Sequence, residues 1–322
     1  MMKVNSISQK IYKSRIIKHG LKFAAENGAL FIAGTSLAFS TFVRPVATLL
    51  TPKVDRENKI LPFAKSVSSS LIGYVLMLGV SLPLARGIRK IDKNPLKYLK
   101  SFTIQALGES GKTLAEAKAY QLATQLFKLG LGLVIAAPKA FLTNKLIPPV
   151  MKIFFKDTES LNEKHDKELT FGSSKDVIPN SIGKILDKEG LQKFAQKFKD
   201  TNFRMHIIAL TDAFSTFVFA RQVSKNDEIK DNKKKILINN AVISTALCIG
   251  LGYVLDKAFD KPTQGFVKRF SEVNKGDKNL PKYIEGIKLA KPALILGTIY
   301  YGLIPVISTF WADRLEKINK LN

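Results

Sequence analysis

Few side chains in this sequence stand where chemistry is done. Asp212 and His206 fall in or beside an otherwise apolar stretch, 205–220, and Asn239 and Asn240 open another, 236–255. Ionisable groups are expensive to keep in a segment that crosses lipid, so where they occur they mark pathways, proton relays or interhelical hydrogen bonds. Asp212, His206, Asn239 and Asn240 are therefore the candidate intramembrane polar site. Six residues separate His206 from Asp212, a rotation of roughly 240° on a helix, so the two leave it from different faces. That spacing favours structural hydrogen bonding or an interfacial position for the pair, and the two asparagines read as interhelical hydrogen-bonders first and pathway residues second.

The one run with the look of a nucleotide site is Ala106-Leu107-Gly108-Glu109-Ser110-Gly111-Lys112-Thr113. It fits a relaxed phosphate-loop spacing, with Lys112 on terminal phosphates and Thr113 on Mg²⁺. Such a loop needs a parallel sheet around it. The polar stretch that holds it, 86–118, is too short for one, and Ala106 replaces the first glycine. The run reads instead as a polar turn that starts a helix. His19, His165 and His206 are scattered and no Cys/His cluster occurs, so no metal is expected. No nucleophile elbow or His-Glu-x-x-His pattern is present. The expectation is a protein without cofactor and without enzymatic activity. Cys248, the single cysteine, can form no intramolecular disulfide and reads as a small packing residue.

The elements that must position these residues follow from composition. The 322 residues carry 51 Lys+Arg against 26 Asp+Glu, a net charge of +25, yet 46% are hydrophobic and the mean hydropathy is +0.03. A disordered polycation lacks that hydrophobic fraction, so charged and apolar residues must be segregated. They are: 66–85, 236–255 and 292–312 contain no charged residue, and 27–43 contains none. Runs of this length match the ~20 residues a helix needs to cross a bilayer core of ~30 Å. The predicted fold class is an all-α, polytopic helical membrane protein, located in a membrane as a multi-pass chain.

Six hydrophobic segments can be marked, at 27–50, 66–85, 119–151, 205–220, 236–255 and 292–312. The first is interrupted by Arg44-Pro45 and is expected to cross as 27–43 and then turn along the surface. The third carries Lys128, Lys139 and Lys145, each costing about 2.5–3.5 kcal/mol at the bilayer centre. The fourth is short and contains Asp212. At least one of these two segments is expected to lie re-entrant or in the interface rather than span.

Ala38-Phe39-Ser40-Thr41-Phe42-Val43 recurs as Ala213-Phe214-Ser215-Thr216-Phe217-Val218. Gly73-Tyr74-Val75-Leu76 and Gly252-Tyr253-Val254-Leu255 follow in the same order, as do Leu146-Ile147-Pro148 and Leu303-Ile304-Pro305. These landmarks predict two related three-segment halves, 27–156 and 203–322. They are flanked by a basic amphipathic arm, 1–26, and separated by a polar connector, 157–202, with an amphipathic stretch over Ile182–Phe198. Three segments per half predicts that the second half is inserted upside down relative to the first. With six spans, Lys+Arg divide 23 to 25 between the two sides, so basic residues select no orientation.

The expected partners are the lipid bilayer and its anionic headgroups, which the arm's Lys and Arg would meet. Nucleic acid is not expected, because the basic residues are spread over every loop rather than gathered on one face. Small residues four apart, Gly34 and Ala38, Ser69 and Gly73, Ala246 and Gly250, suit close helix packing and would also serve a homo-oligomer. Two functions are compatible with these features: a small transporter or channel built from the duplication, and a non-enzymatic, membrane-organising protein.

Overall fold

The computed structural model describes Lys10 and residues 12–155, 177–255 and 260–321. Among these every regular element is a helix. In chain order they are α1 (Arg15–Glu26), α2 (Gly28–Ala38), α3 (Arg44–Leu49), α4 (Arg56–Leu76), α5 (Leu82–Lys93), α6 (Pro95–Tyr98), α7 (Ser101–Leu107), α8 (Lys118–Phe154), α9 (Val177–Leu186), α10 (Glu189–Phe198), α11 (Phe203–Ser224), α12 (Asp231–Leu255), α13 (Asp260–Val273), α14 (Leu280–Thr298) and α15 (Ile304–Leu321). Five helices are long and apolar enough to cross a membrane: Leu30–Leu49, Arg56–Lys93, Lys118–Phe154, Lys233–Leu255 and Leu280–Ile318. The fold is that of a helical polytopic membrane protein. The fourth hydrophobic segment, in α11, is not one of the five.

Some of these long rods are composite. A π-turn at Phe39–Val43 joins α2 to α3, one at Met77–Ser81 joins α4 to α5, and one at Ile299–Leu303 joins α14 to α15. Each precedes an X-Pro step, at Pro45, Pro83 and Pro305. Proline removes a backbone donor and crowds the carbonyl one turn earlier, and widening the turn before it relieves both. The amides of Arg44, Leu82 and Ile304 accordingly donate five residues back, to Phe39, Met77 and Ile299. Pro62, Pro138, Pro148, Pro149 and Pro292 are carried inside α-helix without such a turn, so proline alone is not sufficient. The expected bend of the first segment at Arg44-Pro45 is thereby corrected: the helix widens there and continues to Leu49.

Six rods (α2–α3, α4–α5, α8, α11, α12 and α14–α15) stand side by side in that order, and the last closes against the first. One end of this ring holds short turns, and the other holds α1, α6, α7, α9, α10 and α13. At the short-loop end Asp313 is fully buried and accepts from Asn58 Nδ2 at 2.7 Å and from Lys317 Nζ at 3.0 Å. Lys233 Nζ reaches Asn58 Oδ1 at 2.8 Å, so α4, α12 and α15 share one polar knot. Deeper between α12 and α15, Asn240 Nδ2 donates to the Ser308 and Thr309 hydroxyls at 3.2 and 3.0 Å. Apolar packing beside the knot comes from Leu61, Ala140, Ile147, Val150, Phe219, Val223 and Leu237.

At the other end Ile182 and Leu186 of α9 are 1% and 0% exposed against Ile88, Ile91, Leu107 and Ala119. The amphipathic stretch of the connector forms two short helices whose stripe is buried at Ile182 and Leu186 and left exposed at Phe194. Gly183 sits so close to the Tyr98 carbonyl that a Cβ would collide with it. The arm is docked as well: Tyr12 meets Phe266 and Phe270 edge-on, and Lys18 Nζ pairs with Asp277 Oδ2 at 2.9 Å. Gly286 lies directly under the Leu21 carbonyl, where any Cβ would collide. Ile16 on the arm's outer face stays 85% exposed.

The direction of the rods departs from expectation. Asn144 Nδ2 near the end of α8 donates to the Gln222 carbonyl near the end of α11 at 3.1 Å, so neighbours α8 and α11 run parallel. The first rod and α11 both leave the basic end, and the two halves point the same way rather than being inverted.

Candidate functional site

Inside the ring lies a cavity of about 740 Å³, within the range of small-molecule sites. Every rod lends it side chains. Along α12 the lining runs from Ala241 to Tyr253, and at 1.5 Å per residue the cavity is about 18 Å long. Two π-turns face it, through Met77, Val80 and Ser81 and through Tyr300 and Tyr301, and the third ends at its Arg44. π-turns recur at functional sites because they displace side chains from the regular helical stripe.

Four charged side chains line the cavity: Arg44, Lys65 and Lys139 on three rods, and Asp212 on a fourth. Asp212 and Lys139 are within electrostatic reach of each other, and Arg44 is within repulsive reach of both Lys65 and Lys139. Among the described residues none of the four is held in an ion pair within 4.0 Å. Lys65 Nζ lies 4.5 Å from the centre of the Phe219 ring, a cation–π contact. Hydroxyls fill much of the remaining wall, including Ser69, Thr143, Ser215 and Tyr300. Thr216 and Thr245 share a hydrogen bond of 2.6 Å that ties α11 to α12 at the cavity wall.

The four expected polar residues separate. Asp212 lines the cavity. His206 does not: it sits exposed one turn from the start of α11, with Nδ1 2.6 Å from the Tyr253 hydroxyl, and only Tyr253 reaches the cavity. Asn240 is consumed by the α12–α15 hydrogen bonds, and Asn239 is half-buried outside the lining. The cations were visible in the sequence as costs rather than as a site. Lys139 marks a weak span, Lys65 borders a charge-free run, and Arg44 interrupts the first segment. Nothing in their spacing reveals that they converge, because they come from three different rods.

The phosphate-loop look-alike is a self-contained turn. Lys112 Nζ is paired with Glu109 Oε2 at 2.6 Å, and the Thr113 amide and hydroxyl both donate to Glu116 Oε2. These hydrogen bonds hold both carboxyls below their usual range, led by Lys112 at Glu109 and by the Thr113 amide at Glu116. With Lys112 and Thr113 so occupied and all-helical surroundings, the run does not have the geometry of a phosphate cradle.

Compared with known protein families, with curated proteins and with solved structures, the chain matches none.

Proposed function

We propose that the chain is an integral membrane protein that moves a small solute through the cavity enclosed by its six rods. The observation that carries this reading is the cavity with Arg44, Lys65, Lys139 and Asp212 in its wall. Charges cost about 2.5–3.5 kcal/mol each at the centre of a crossing helix, so four of them facing one interior space mark a pathway. Three π-turns at its edge supply adjustable backbone where a pathway must open. The repeated landmarks and the shared direction of the two halves support a duplication with its axis along the bundle, the arrangement of parallel repeats in transporters.

Purified protein in liposomes tests this. Flux of sodium, potassium, protons, chloride, phosphate, succinate and neutral sugars is compared with empty liposomes. Flux of at least one probe that is lost in Asp212→Asn, while the variant still inserts, supports the pathway. Permeability equal to that of empty liposomes for every probe favours the second reading, a membrane-organising protein. That reading draws on the basic end, where exposed Ile16, Leu96 and Phe102 lie among lysines and suit an anionic headgroup layer.

A further inference from the structure

We infer that the solute admitted by this cavity is a small oxyanion carrying two negative charges, a dicarboxylate or a phosphate-bearing group, held by Arg44, Lys65 and Lys139. The inference rests on the pathway reading above and names its substrate class.

Three cations against one carboxylate leave two positive charges in the cavity without a counter-charge from the protein. Arg44 repels both lysines, so the empty site is electrostatically unfavourable as it stands. The Phe219 ring offsets little of this, since a cation–π contact is weaker than the cost of burying an unpaired charge. Such an arrangement of charge calls for an occupant that supplies what is missing. A dianion does so in number. The donors also suit it in kind: the guanidinium presents a planar fork to a carboxylate or phosphate, two ammonium groups add point charges, and serine and threonine hydroxyls donate to remaining oxygens. Asp212, within electrostatic reach of Lys139, gives the wall its one negative charge and disfavours a trianion. A cationic solute would meet three like charges and one unlike, and an uncharged one would leave the excess standing.

The same chemistry occurs free in solution and on the headgroup of an anionic lipid, and the cavity's own Cys248 can report on both. The full chain is placed in nanodiscs of phosphatidylcholine. Cys248 is then modified by sulfonatoethyl, trimethylammonioethyl and methyl methanethiosulfonates, the neutral reagent correcting for access. The anionic reagent is expected to react about tenfold or more faster than the cationic one, since a cleft of one sign concentrates counter-ions by at least that factor. Inorganic phosphate or succinate at constant ionic strength should slow modification, while glucose and choline should not. Lys139→Gln should abolish both effects and Lys139→Arg should restore the charge preference. The neutral-reagent rate shows whether each variant keeps its cavity, and a second variant, Arg44→Gln, gives the same test should Lys139→Gln fail to fold.

Protection by the free anions assigns the site to a solute. Protection only in discs containing phosphatidylglycerol assigns the same oxyanion chemistry to a lipid headgroup. Faster reaction of the cationic reagent, or indifference of Cys248 to charge and to both anion sources, overturns the inference. The pathway reading fails separately: flux of a cation through an anion-indifferent protein keeps the pathway and removes the anion, whereas anion protection without any flux keeps the site and removes the pathway.

Discussion

Placing Ser101 and Ser181 on the same face of the membrane is the sharpest consequence of the packing at the basic end. Both serines are exposed, one on α7 and the other on α9, and the helices are held together beneath them. Ile182 and Leu186 are essentially fully buried in that contact, worth roughly 3–6 kcal/mol together. Asp187 Oδ1 accepts from the Thr103 hydroxyl at 2.6 Å and the Lys100 amide at 3.1 Å, and Gln192 Nε2 donates to Thr103 Oγ1 at 3.0 Å. Three such bonds add roughly 1.5–4.5 kcal/mol. A chain with α9 on the opposite face forfeits all of this, so it should be populated below about one part in a thousand at ~1.4 kcal/mol per factor of ten. Six alternating spans would demand that opposite placement. The assay replaces Cys248 and introduces cysteine singly at Ser101 and Ser181, then adds an impermeant maleimide to sealed, oriented vesicles. Labelling of both from the same face is expected. Labelling of Ser181 only from the face where Ser101 is silent would refute the packing argument. The same vesicles report orientation, because residues 12–26, 86–118, 177–204 and 260–291 at the basic end hold 26 Lys+Arg against 14 in 45–64, 145–154, 221–235 and 313–321. Both serines should therefore face the cytoplasm.

Docking of the arm should weaken in acid. The Lys18 hydrogen bond, with the Asn279 amide, holds the Asp277 carboxyl below its ordinary 3.8, and Lys282 likewise lowers Glu26. Depressed carboxyls stabilise above their ordinary pKa and lose that contribution as pH falls through the lowered value. Hydrogen exchange over 15–26, corrected for intrinsic rates, should accelerate below about pH 4, and Asp277→Asn should blunt the change. Asn58→Leu leaves buried Asp313 without one donor and should cost about 1–3 kcal/mol in detergent unfolding, whereas Lys193→Ala, which breaks an exposed pair with Glu189, should cost under about 0.5 kcal/mol. Equal effects would show that the polar knot is not structural. Gly286→Ala should loosen the arm by about 1–3 kcal/mol through collision with the Leu21 carbonyl, read as faster tryptic cleavage at Lys18 and Lys22. Helix propensity alone predicts the opposite sign, so slower cleavage would refute the close-approach argument.

What could be read in advance divides along a physical line. The all-helical, membrane-type fold was legible because segregation of charge from apolar residues is a local property of the chain: the charge-free runs at 66–85, 236–255 and 292–312 all lie within spanning helices. Lys128, Lys139 and Lys145 made 119–151 look too costly to form one span. The structure keeps α8 unbroken because Lys139 turns into the cavity and Lys145 lies over the Phe141 ring at 5.1 Å. Of the expected polar site only Asp212 reaches the cavity, since the spacing of His206 and Asn240 says which face of their own helix they occupy and nothing about which neighbour covers it. The expected inversion of the halves fails for a related reason: it counts every apolar segment as one lipid crossing and takes no account of which helix packs beside which.

The parallel course of α8 and α11 bears on that assumption. Phe155 stands at the short-loop end and Val177 at the basic end, so these two described residues lie at opposite ends of the bundle. Ten of residues 155–176 are charged. From α1 to α15 the rods other than α11 number five among the described residues, and they alternate in direction between the basic end and the short-loop end. Those five are the helices long and apolar enough to cross. The cavity's one carboxylate, Asp212, therefore stands on the rod outside that set, and its three cations, Arg44, Lys65 and Lys139, stand on rods within it.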